Sequence, residues 1–175
     1  MNYNSEEKKL TLDLSKEKYD PAMLLQHEDV KEIRIEKYND EIELPTEIHK
    51  LETLSILVDD SKKLYSPPAN LEHLKNLTLW ADFQIEKLAP MPNIESYSAN
   101  ITNTDCIKTI AEKFPNLKRL RLSGSPAPDQ TMPSEIGNSP LLESLVLTYL
   151  LTNYHIKIIK WDKIEPLQQW PTEKR

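Results

Sequence analysis

The sequence predicts an α/β repeat: a solenoid of short parallel strands, one per unit, with loops and short helices on the return side. Three observations predict it. The pattern L-x-x-L-x-L occurs six times, as VKEIRI from Val30, LETLSI from Leu51, LKNLTL from Leu74, IESYSA from Ile94, LKRLRL from Leu117 and LESLVL from Leu142. The steps between first positions are 21, 23, 20, 23 and 25 residues, a period typical of stacked repeats. The chain also carries 13 prolines but only 2 glycines. Tight hairpins need glycine, so this composition favours longer connections stiffened by proline.

The elements follow in chain order. LTLDL fits one step before the first repeat, with Lys9 at the first position and Leu12 and Leu14 matching Ile33 and Ile35. In DPAMLLQH, Asp20 is placed to cap a short helix and Pro21 to occupy its first position. The last four residues of each repeat read as a strand. Side chains alternate along a strand, so Leu77 and Leu79 face inward while Asn76, Thr78 and Trp80 face outward. One unit cannot bury its own leucines, but stacked units bury each other's. YSPPAN and SGSPAPDQTMP read as loops. In NTDCIKTIAEKF, Ile107, Ile110, Ala111 and Phe114 fall on one helical face, Thr102 to Thr104 offer N-caps, and Pro115 ends the helix. Proline before Ile94, Leu117 and Leu142 fixes the approach to the strand. HIKIIKW reads as a last strand and IEPLQQW as a covering segment, with Trp161 and Trp170 packing a cap. The expected organisation is one domain, 1–175: an N-terminal unit over 1–29, repeats over 30–152 and a C-terminal cap over 153–175.

Over residues 9–150 this pattern resembles the leucine-rich-repeat family. LPTEIHKLETLSI from Leu44 carries the longer L-P-x-x-I-x-x-L-x-x-L-x-L form, and MPSEIGN from Met132 resembles its first half. The family's asparagine, three residues after the last leucine, is replaced here by Tyr38, Asp59, Asp82, Thr102, Ser125 and Leu150. The resemblance implies a right-handed solenoid with a parallel concave sheet and a mixed loop and short-helix convex side. It also implies a protein-binding module that uses the concave face. It names no partner, because fold does not fix function.

The formal net charge is −6, which argues against nucleic acid or an anionic membrane as partner. No apolar run approaches a membrane span. The first residues, MNYNSEEKKL, lack the apolar segment of a secretory leader. A single cysteine, Cys106, fits a reducing compartment, so a cytoplasmic location is expected. The second repeat position alternates in sign, as Lys31, Glu52, Lys75, Glu95, Lys118 and Glu143. Such a ladder would guard register more than add stability.

Nothing in the sequence points to catalysis, a cofactor or a metal. His27, His49, His73 and His155 have no second ligand at metal spacing, and Cys106 has no identifiable partner histidine. Asp59 and Asp60, adjacent in sequence, point to different sides. There is no phosphate-cradling glycine loop and no nucleophile-elbow or zinc-protease motif. The outward face of the sheet is the informative surface. Its expected rows are Thr11, Glu32, Thr53, Asn76, Ser96, Arg119 and Ser144; Asp13, Arg34, Ser55, Thr78, Ser98, Arg121 and Val146; and Ser15, Glu36, Leu57, Trp80, Asn100, Ser123 and Thr148. Tryptophan and arginine dominate binding hot spots. The expected partner-binding set is therefore Arg34, Leu57, Asn76, Thr78, Trp80, Ser98, Asn100, Arg119 and Arg121, facing another protein or peptide. The rival readings are a dedicated regulator, such as an enzyme inhibitor or an immunity or effector-type protein, and an enzyme with a cryptic site. A third is a homo-oligomer that buries Trp80 against a second copy. Trp80 could also fold over the strand edge onto ADFQIEKL.

Overall fold

The computed structural model describes residues 1–16, 18–38, 48–58, 71–80, 85, 88–101, 106–124, 139–151 and 155–162. The strands are β1 (Asn2–Asn4), β2 (Lys9–Asp13), β3 (Glu32–Tyr38), β4 (Thr53–Val58), β5 (Asn76–Trp80), β6 (Ser96–Ile101), β7 (Arg119–Gly124), β8 (Ser144–Leu151) and β9 (His155–Asp162). Among the described residues two helices interrupt them, α1 (Ala22–Leu25) and α2 (Cys106–Lys113). The strands form one sheet in chain order. From β2 to β8 every neighbouring pair is parallel, while β1 and β9 close the two ends antiparallel. The result is a mostly parallel solenoid with little helix.

The core is the stack of inward side chains. Leu54 lies opposite Leu77, Leu77 opposite Tyr97, Tyr97 opposite Leu120, and Leu120 opposite Leu145. All five are at most 2% exposed, and burial of each aliphatic side chain contributes about 1.5–3 kcal/mol before entropy is subtracted. Tyr97 and Ala99, the weakest matches to the pattern, are buried with the rest.

The physical repeat begins three residues before the six-residue pattern. Ile48, Leu71, Met91 and Phe114 are buried there. Each accepts, at its carbonyl, the N–H of the residue three on: Leu51 at 3.4 Å, Leu74 at 3.1 Å, Ile94 at 3.2 Å and Leu117 at 3.1 Å. The chain thus turns into the strand around an apolar side chain that points into the core.

A second backbone device joins successive units. The carbonyl of Lys31 accepts the N–H groups of both Glu52 (2.8 Å) and Thr53 (3.0 Å). Glu52, Lys75, Glu95 and Lys118 repeat this with the next unit, and Lys8 does it for Lys31 and Glu32. The charged ladder stands on these same residues. Lys31 Nζ lies 2.6 Å from Glu52 Oε1, and Lys118 Nζ 3.1 Å from Glu95 Oε2. Lys31 holds the Glu52 carboxyl below the ordinary glutamate range, and Lys118 does the same for Glu95. The field of Lys75 adds to both.

The first unit departs from the predicted register. Leu10, not Leu12, lies opposite Ile33, and Leu12, not Leu14, lies opposite Ile35. Leu10, Leu12 and Leu14 alternate, so a slip of two residues leaves the same face apolar, and periodicity cannot detect it. Backbone bonds decide the matter. Lys8, at φ 53°, takes the N–H groups of Lys31 and Glu32, and Leu14 N–H reaches Glu36 O at 3.0 Å. The turn back to β1 also starts β2 at Lys9.

In α1, Pro21, predicted as the first helical residue, stands at the N-cap, which makes no side-chain cap bond, and the Asp20 carboxylate one residue before it accepts the Ala22 N–H at 2.9 Å. In α2, Ile110 is buried and Ala111 half-buried. Beyond its end, Phe114 packs on Tyr97 with ring centroids 4.8 Å apart. The last carbonyl of α2, at Lys113, accepts the Met91 N–H at 2.8 Å, which ties the helix to the preceding unit. Before Ile94 and Leu117, the asparagine of each PN pair also bridges units. Asn93 Nδ2 donates to Glu72 O at 2.7 Å, and Asn116 Nδ2 to Pro92 O at 2.9 Å. HIKIIKW is a strand, β9, but it runs antiparallel to β8. Several expectations lie outside the described residues. They are the loop YSPPAN, most of SGSPAPDQTMP, the caps Thr102 to Thr104, Asp59, Asp60, the MPSEIGN segment and IEPLQQW with Trp170. The side chains of Cys106, Ile107, His155 and Trp161 also lie outside.

Candidate functional site

The outward rows are set by register. The first is Lys9, Glu32, Thr53, Asn76, Ser96, Arg119 and Ser144; the second is Thr11, Arg34, Ser55, Thr78, Ser98, Arg121 and Val146. In the third, Asp13 lies opposite Glu36, Glu36 opposite Leu57 and Leu57 opposite Trp80, and Asn100 lies opposite Ser123, itself opposite Thr148. The two-residue shift of β2 thus moves Thr11 beside Arg34 and Asp13 beside Glu36, and takes Ser15 out of the rows. From β3 onward the first two rows are those predicted, while the third is paired on either side of the step from Trp80 to Asn100, where the β5–β6 ladder has already ended at Leu79 and Ala99.

The face has three regions. The β2–β3 end is charged and internally paired. Lys9 Nζ lies 2.8 Å from Glu32 Oε1, and Arg34 Nε 2.6 Å from Glu36 Oε1. Arg34 is therefore engaged within its own strand. Residues i and i+2 of a strand share a face, so this pairing was legible in the sequence. Beside it, the Ser15 hydroxyl donates to Asp13 Oδ1 at 2.6 Å and Lys16 Nζ approaches Asp13 Oδ2 at 2.9 Å. Together they hold the Asp13 carboxyl well below the usual range.

The centre is small and polar around one apolar pair. Asn76 Nδ2 donates to Thr53 Oγ1 at 3.1 Å, and Thr78, Ser96 and Ser98 are half-buried. Leu57 is half-buried, and Trp80 beside it is 46% exposed. The cross-strand position sets Trp80 on the solvent face, and nearly half of its surface stays there. Asn100 is exposed as well.

Toward β7, Arg119 and Arg121 are both exposed. Their cross-strand neighbours are Ser96 and Ser144, and Ser98 and Val146. Among the described residues no carboxylate forms an ion pair with Arg121. Arg119 acts weakly on Glu95, after Lys118 and Lys75.

Elsewhere the arrangement is structural. His27 stacks on Tyr3, ring centroids 3.8 Å apart. Tyr3 donates its hydroxyl to Asp29 Oδ1 at 2.6 Å, and Lys8 Nζ lies 3.6 Å from Asp29 Oδ2. This cluster closes the N-terminal end, where His27 stands at the turn position that Ile48 and Leu71 fill in later units. His49 and His73 are exposed. Among the described residues, hollows lie away from the strand face. One of about 380 Å³ is lined by Leu24, His27, Val30, Ile48 and His49. Another, of about 310 Å³, is lined by Glu72, Lys75, Asn93, Glu95 and Asn116. In the second, both asparagine amides already bond carbonyls. Among the described residues no group of three His, Cys, Asp or Glu side chains is placed to hold a metal, and no helix is long and apolar enough to cross a membrane. No protein-family model matches the chain, and no curated protein or solved structure does.

Proposed function

We propose that the chain is a leucine-rich-repeat solenoid that binds another protein or peptide through its outward strand face and carries out no catalysis of its own. The repeat spacing and the parallel stacking of its leucines support the family reading. One observation carries the binding reading: Trp80, 46% exposed, stands beside Leu57 on a face otherwise paved with small polar groups. A large aromatic side chain left in water is a standing cost that a partner relieves, and residues of this type dominate binding energies. A single cysteine and the acidic balance suit a cytoplasmic binding protein.

The test is Trp80→Ala. The variant keeps the circular dichroism spectrum and urea midpoint of the parent, because the side chain adds little to the core. Affinity for a partner recovered from the native cell weakens by about 1–2 kcal/mol or more, five- to thirtyfold. A variant that unfolds, yet binds unchanged per folded molecule, would place Trp80 in the core and end this reading.

A further inference from the structure

We infer that the segment bound on this face is an extended acidic peptide, with one large apolar residue for the Leu57–Trp80 pair and two carboxylates for Arg119 and Arg121. This rests on the reading of the strand face as the binding face, and it adds the chemistry of the occupant.

The argument is charge complementarity within the face. In a chain of net charge −6, basic side chains have many carboxylates to choose from, and on the β2–β3 part of the face they have taken them. Lys9 holds Glu32, and Arg34 holds Glu36. On β7 the pattern breaks. Arg119 and Arg121 stand at i and i+2 on one strand, both exposed, flanked by three serines and a valine. Beyond β8, the register places Lys160 at Val146 and Asp162 at Ser144, one residue of each sign. Guanidinium groups on adjacent same-face positions form two forks for carboxylates.

The spacing suits a single extended strand of peptide. With strands about 4.8 Å apart and a rise of about 3.3 Å per residue, Arg121 lies about 12 Å from Trp80, and Arg119, about 7 Å from Arg121 along β7, lies about 16 Å from Trp80. An extended peptide reaches Arg121 from Trp80 in about four residues and Arg119 in about five. The occupant therefore carries its apolar anchor about four residues from the nearer carboxylate, with the second carboxylate one or two further on. Between anchor and charges it crosses β6 between Ser98 and Asn100, whose side chains can bond its backbone.

The experiment is selection from a random linear peptide library displayed on phage, against the immobilised 175-residue chain at low salt. The expected enriched sequences share an aromatic or aliphatic residue followed or preceded, about four positions away, by an acidic pair. A synthetic copy of the leading peptide binds Arg121→Glu about tenfold or more weakly than the parent, a loss of about 1.4 kcal/mol. Its affinity falls with added salt. The peptide with lysines in place of its acids recovers affinity for an Arg119→Glu, Arg121→Glu double variant, an outcome that mere damage to the fold does not produce. Enriched peptides that need Trp80 but carry no acids overturn this inference and leave the binding face standing. Peptides that bind Trp80→Ala as well as the parent overturn both. So does the absence of any enrichment, with sedimentation showing the chain paired to a second copy through Trp80.

Discussion

Glu52 and Glu95 show what single residues contribute. Hydrogen bonds from Lys31 and Lys118 hold both carboxyls below their ordinary range, so in acid the folded chain binds fewer protons here than the unfolded chain. The resulting stabilisation is complete above the ordinary glutamate value of about 4.3 and is lost as pH falls through the depressed values. The urea midpoint of the parent should therefore drop further between about pH 6 and about pH 3 than that of an E52Q/E95Q variant. Added salt should narrow the gap, since both pairs are exposed. Parallel slopes would show that the ladder is electrostatically idle. The alternation of sign was legible in the sequence because every unit repeats the position. The asparagine bridges at Asn93 and Asn116 were not, because the prolines before them are the stronger local signal. A side-chain amide shows its partner only once two units are stacked.

Among the elements, β2 is the instructive one. Its strand character follows from alternation, but its register does not, since three alternating leucines fit the neighbour in two ways. Leu10 is fully buried and Leu14 only partly so. Leu10→Ala should thus cost about 2–5 kcal/mol, and Leu14→Ala clearly less, by urea denaturation. Equal losses, or the reverse order, would restore the register read from the pattern. The short helix α2 was readable to its last turn, because Ile110, Phe114 and Pro115 announce one buried stripe and a stop. The strand β9 was readable as a strand, yet not its direction. An antiparallel return puts the same side chains on the same faces as a parallel one, and only the β8 ladder distinguishes them.

At the scale of the whole molecule the described strands pair with their neighbours in chain order, so stability is near to a sum over units and their interfaces. Leu12→Ala in β2 and Leu122→Ala in β7 lie five strands apart, about 24 Å. Their losses should add within about 0.5 kcal/mol. Leu54→Ala and Leu77→Ala, opposite one another in the register, should not add, because each opens space that the other shares. Urea denaturation of both double variants and their four single parents decides this. By itself the amino-acid sequence determined the period, the inward leucines, the first two outward rows from β3 onward and the candidate Leu57–Trp80 pair, since each is a repeated local pattern that stacking merely multiplies. Only the tertiary structure decided the register of β2, the direction of β9 and the exposure of Trp80, Arg119 and Arg121. Those depend on which backbone groups and side chains meet across strands, and a one-dimensional pattern is the same for several such meetings.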